Sequence, residues 1–78
     1  MADIINKPDH YNINWKGDPA IETYEYIKSW AMDYDEGNVI KYLTRYKQKG
    51  GLEDLKKGQW YMNKIVEREA LRAAKENK

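Results

Sequence analysis

The sequence predicts an all-α fold: an extended N-terminal arm, then three helices at about 18–32, 34–49 and 52–76, the last two forming a helical hairpin. Three observations carry this expectation. Apolar side chains recur at helical spacing over most of the chain beyond residue 18. Helix-start signals stand at Asp18-Pro19 and at Asp33 with Glu36. Paired glycines, Gly50-Gly51, separate the two longest periodic runs.

Residues 1–17 hold Pro8, Gly17 and several Asn and Asp without sustained periodicity, which reads as an arm. Ile4, Ile5, Tyr11, Ile13 and Trp15 make that arm apolar enough to pack on the helices or on a neighbouring subunit. The chain then divides into the arm, 1–17, and a single helical domain, 18–78. In the first helix Asp18 is the expected N-cap and Pro19 the first helical residue. Glu22 falls in the first turn, where the helix dipole favours negative charge. Ile21, Tyr24, Ile27 and Ala31 recur on one face, up to about Met32.

Asp33 and Glu36 have capping-box spacing, so a second helix begins near Tyr34. Val39, Ile40, Leu43 and Tyr46 form its expected core face, and Gly50-Gly51 end it. The third helix starts near Leu52 and lines up Leu55, Gly58, Met62, Ile65, Val66 and Ala73. Gly58 in mid-helix costs roughly 1 kcal/mol relative to Ala, which predicts close approach by another helix or a ligand. Trp60 and Leu71 point to the opposite side. They have no partner in a three-helix monomer and are the predicted subunit interface.

Composition supports oligomerisation. Seventy-eight residues make one domain with a modest core. Cysteine is absent and His10 is the only histidine, so disulfides, thiolate sites and an ordinary zinc site are excluded. A homo-oligomer is the remaining staple for so small a fold. Seven Tyr and three Trp with no Phe suit interfaces and ligand-stacking surfaces. No apolar run approaches membrane-spanning length and no signal peptide opens the chain, so a cytosolic protein without membrane contact is expected.

Charge is uneven. Residues 1–37 carry eight acids and three bases, whereas residues 38–64 carry seven bases and two acids. That local excess suits a small anionic ligand. The near-neutral whole, net +1, argues against nucleic acid. On the second helix Asn38, Lys41, Tyr42, Arg45 and Lys49 share one side, offering hydrogen bonds, charge and a stacking ring. The start of the third helix, after Gly50-Gly51, offers backbone N–H groups to an anion, with Lys56 and Lys57 one turn in and Glu53 and Asp54 competing. His10, Tyr11 and Tyr61 are further candidates for stacking or contact. Neither the GxxxxGK[ST] nor the GxGxxG phosphate motif is present. Glu22 and Glu25 resemble half of a magnesium-dependent pyrophosphatase site whose second half is missing.

The strings Gly37-Asn38-Val39-Ile40-Lys41-Tyr42, Arg45, Lys49-Gly50-Gly51 and Glu53-Asp54-Leu55-Lys56-Lys57, with His10-Tyr11, Trp30 and Trp60-Tyr61 around them, give the chain a wider likeness. It resembles the small phage-encoded nucleotide kinase-like (SaV-like) family over residues 8 to about 66, departing from it at Gly58, where Ala is expected. The resemblance implies a phage protein of the infected host's cytoplasm with a link to nucleotides. The basic and aromatic face without catalytic machinery makes the expected function a homo-oligomeric nucleotide binder with no cofactor, and a separate likeness, in size and style alone, to phage proteins that sequester antiphage nucleotide signals makes such a host signal its expected ligand. One alternative is a nucleoside monophosphate kinase without a phosphate loop, which would use magnesium. Another is a module that inhibits a host protein through Trp60.

Overall fold

The computed structural model describes Asn14 and residues 16–76, and these form three helices: α1 (Thr23–Ser29), α2 (Tyr34–Arg45) and α3 (Gly51–Glu76). The expected all-α class is the observed one.

α1 is shorter than expected at both ends. Asp18 caps nothing, because Asn14 holds it in a turn. The Asn14 Oδ1 accepts from the N–H groups of Lys16 (2.9 Å) and Asp18 (3.0 Å), and the Asn14 N–H donates to the Asp18 carbonyl at 2.7 Å. The helix starts only at Thr23, behind Glu22, whose side chain makes no capping bond. At the other end the Met32 N–H donates to the Ile27 carbonyl (3.1 Å) and the Ala31 N–H to the Lys28 carbonyl (3.0 Å). This is a Schellman closure, with Ala31 at φ 54 where glycine is usual.

α2 opens on the expected capping box. The Glu36 N–H donates to Asp33 Oδ1 and the Asp33 N–H to Glu36 Oε1, both at 2.9 Å. Regular helix stops at Arg45, four residues before the expected end, and residues 46–50 form a turn. The turn keeps a helical bond from the Lys49 N–H to the Arg45 carbonyl (2.9 Å). It closes through the Gly51 N–H on the Tyr46 carbonyl (2.8 Å). Gly51 has φ +54 and open space where a Cβ would stand, so its backbone conformation alone calls for glycine.

α2 lies between its neighbours. A Cβ on Gly58 would stand 3.3 Å from Tyr42 Cβ, the close α2–α3 approach that the mid-helix glycine foretold. On the α1 side, a Cβ on Gly37 would meet Ile27 Cγ2 at 3.2 Å, and the Thr23 and Thr44 hydroxyls approach to 3.5 Å.

The expected core is left open on the described helices. Among the described residues no apolar side chain is buried; the buried side chains are Asn38 and Asp54. Leu43 is 55% exposed and Met62 44%. The reason is geometric. Three helices side by side make one layer, and a layer has two faces but no interior. Periodicity showed which residues share a face, not whether anything covers that face. α3 also outruns its partner: its 26 residues span about 39 Å against about 18 Å for the 12 of α2. Arg68 already stands at the start of α2, so Leu71 lies beyond it, largely exposed.

Candidate functional site

The glycine turn is built around a carboxylate. Asp54 is 2% exposed, and Arg45 grips it with a fork, Nε to Oδ2 at 2.9 Å and Nη2 to Oδ1 at 3.3 Å. The Arg45 guanidinium, with help from the Gly50 N–H, holds the Asp54 carboxyl below the usual carboxylate range. Gly50 makes the room: a Cβ there would fall 2.1 Å from Asp54 Cγ. The anion at the start of α3 is thus the protein's own Asp54. Asp54 is one of the two acids expected to compete there, and the fork ties Arg45 into the hairpin.

Beside this lock, several expected ligand residues converge. The Tyr42 ring stacks on Tyr61 with centroids 6.2 Å apart and planes 17° from parallel. Three cations gather on Tyr42: Lys41 Nζ at 4.7 Å from its centroid, Arg45 Cζ at 5.1 Å and Lys57 Nζ at 5.9 Å. Such contacts are attractive through the ring quadrupole. Tyr34 meets Tyr61 edge-on at 5.8 Å. The neighbouring Tyr34 hydroxyl, with partial burial, raises the Tyr61 pKa.

Along the same side, between α1 and α2, runs a groove of 510 Å³. Its polar lining includes Thr23, Tyr24, Lys28, Tyr34, Asn38 and Lys41, with Asp33 at the rim. The volume falls within the range of small-molecule sites. Lys41 belongs to both the groove and the Tyr42 cluster. Asn38, expected as an outward contact, is buried at the groove floor and donates its Nδ2 to the Tyr34 carbonyl at 2.8 Å. Tyr24 and Tyr34 are the exposed rings, and Lys28 lies over Tyr24 at 6.0 Å. Sequence reasoning passed over Tyr24, Lys28 and Tyr34. Tyr24 and Lys28 are four apart, hence neighbours on a helix, but nothing in the sequence shows that this pair faces Lys41.

The other expected residues are placed as follows. Lys49 lies in the turn rather than on α2. Trp60 is 56% exposed, edge-on to Tyr61 at 5.0 Å and beneath Lys64. Leu71 makes no part of this cluster. His10 and Tyr11 lie outside the described residues. At the far end of the hairpin Arg68 reaches Asp33 (2.6 Å), Glu36 (3.3 Å) and Asp35 (3.5 Å). The Glu36 N–H, and then Arg68, hold the Asp33 carboxyl below its ordinary value. Among the described residues no group of three or more His, Cys, Asp or Glu is arranged to hold a metal ion, and no helix is long and apolar enough to cross a membrane.

No curated protein and no solved structure matches the chain. A family model does, over residues 5–63, which takes in α1, α2, the glycine turn and the first half of α3, with the groove and the Tyr42 cluster but not Lys64 or Arg68. By that match the chain belongs to the family described as protein of unknown function (DUF3310).

Proposed function

We propose that the chain binds a nucleotide, or another small phosphorylated ligand carrying a ring, in the groove between α1 and α2. The observation that carries this reading is the lining: two lysines, Lys28 and Lys41, beside two exposed tyrosine rings, Tyr24 and Tyr34, with Lys57 and Tyr42 at the next turn. Phosphate takes charge-assisted hydrogen bonds from the ammonium groups, and a base stacks on a tyrosine. Asn38 sets the groove floor, and the Asp33 carboxylate, held by the Glu36 N–H and Arg68, caps α2 beside it. Arg45 serves the ligand only indirectly, by holding the hairpin that carries Lys41 and Lys57. The two likenesses set out above extend this reading to a phage protein that sequesters a nucleotide signal of its host.

Calorimetric titration with nucleoside mono-, di- and triphosphates and with cyclic di- and trinucleotides tests it. One of them is expected to bind, and Lys28→Ala with Lys41→Ala is expected to weaken binding by about tenfold or more, the worth of one charge-assisted bond. Absence of binding across the panel at high micromolar concentration would sink the reading, as would binding indifferent to both lysines. Turnover of a bound monophosphate with ATP and magnesium would replace it by the kinase alternative.

A further inference from the structure

The opposite face of the layer carries a different message. Trp30, Met32, Val39, Ile40, Met62 and Ile65 line one groove of 420 Å³ together with Glu36, which pairs with Arg68, and Val39, Leu43, Leu55 and Met62 supply half the lining of a second, of 210 Å³, between α2 and α3. Val66 continues the row one turn beyond Met62. The side chains are apolar and half or more exposed at Trp30, Leu43 and Val66. The one ionised group in the second groove, Asp54, is turned inward and neutralised by Arg45.

We propose that a second copy of this chain packs on this face, so that two helical layers enclose the core that one layer lacks. Domains are built from two packed layers around one apolar core, and here the described residues supply a single layer. Cysteine is absent, so no disulfide substitutes for the missing core. A folded single chain therefore needs the second layer whenever it is folded, a demand that an identical copy meets at all times and a transient partner does not. Closed two-fold pairing of one patch with itself is the commonest solution. The size fits. Laid side by side, α1, α2 and α3 run about 10, 18 and 39 Å and are each about 10 Å across, which offers on the order of 700 Å² before side-chain relief, close to the roughly 800 Å² per partner of a stable interface. This places the self-association surface on Leu43 and Met62 rather than on the expected Trp60 and Leu71. It is independent of the nucleotide reading, which concerns the other face.

Sedimentation analysis of the full chain over a micromolar concentration range tests the proposal. The expected mass is about twice 9.3 kDa, or an even multiple of it. Leu43→Gln and Met62→Gln are expected to weaken association by about thirtyfold or more, with Trp60→Gln leaving it unchanged. Should the glutamine variants unfold, the wild-type chain decides: a melting midpoint that rises with concentration supports the proposal. Thiol labelling of Met62→Cys, slowed as concentration rises while Trp60→Cys is not, supports it as well. A monomer with a concentration-independent midpoint overturns it, leaving the face to the chain's own N-terminal residues or to another protein. So does an assembly broken by Trp60→Gln and untouched by Met62→Gln.

Discussion

Each end of the α2–α3 hairpin is closed by an arginine, and the two closures differ in kind. At the glycine turn Arg45 forks onto one carboxylate, Asp54, which is shut away from water and sits where Gly50 has no side chain. At the open end Arg68 fans over Asp33, Asp35 and Glu36, all of them in reach of solvent. The first pair is specific: removing one partner strands a buried charge. The second is redundant: three acids share one cation in high dielectric, where such pairs contribute little. The recognisable strings thus hold two kinds of residue: Arg45, Gly50-Gly51 and Asp54 build the hairpin, while Lys41, Tyr42 and Lys57 stand beside the groove.

The largest expected effect is at the buried end. Arg45→Ala should lower the melting midpoint by on the order of 20 °C, with Arg45→Lys recovering only part because an ammonium lacks the fork. Next, Gly50→Ala drives a methyl into the Asp54 carboxylate and should cost about 2 kcal/mol by chemical denaturation. A milder loss would mean that Asp54 swings out and that the pair is not the lock. Acid comes third. Asp54 and Asp33 both titrate below the ordinary carboxylate value when folded. Their contribution is therefore full above the unfolded pKa, about 4, and is lost as pH falls through the lower folded values. The midpoint should fall below about pH 4, and Asp54→Asn should flatten that fall while lowering the neutral-pH midpoint. The smallest effect belongs to the open end. Arg68→Ala should shift the midpoint by no more than about 3 °C, and molar salt should erase the difference, since exposed pairs are screened. Salt sensitivity of the Arg45→Ala difference instead would invert the comparison.

The sequence made the helix starts and glycine positions legible wherever the signal was local. Asp33 and Glu36 announced their capping box, Gly50-Gly51 their turn, and Gly58 its close approach. Local signals also misled. Asp18-Pro19 carries the chemistry of a helix start, but Asn14, four residues earlier, takes Asp18 into its own turn. The stop after α1 was hidden because Ala31, not glycine, adopts the left-handed conformation. The Arg45–Asp54 pair is nine residues apart across a turn, so its register had to be seen. The missing core was illegible for a deeper reason: an apolar stripe is the same string whether its cover comes from the same chain or from another. The site was half legible. Lys41, Tyr42, Lys57 and Tyr61 do come together, whereas Tyr34 joins them by its edge contact with Tyr61 and Tyr24 and Lys28 only through the packing of α1 on α2.

The cations divide between structure and binding, and a thermal-shift titration reads both at once, because a ligand that binds the folded chain raises its midpoint. Wild type, Arg45→Lys and the Lys28→Ala, Lys41→Ala double variant would be melted with and without the nucleotide found by calorimetry. The expected result is a lowered ligand-free midpoint with an intact ligand-induced rise for Arg45→Lys, and an unchanged midpoint with a lost rise for the lysine variant. A lost rise for Arg45→Lys at an unchanged midpoint, with the lysine variant responding like wild type, would contradict it.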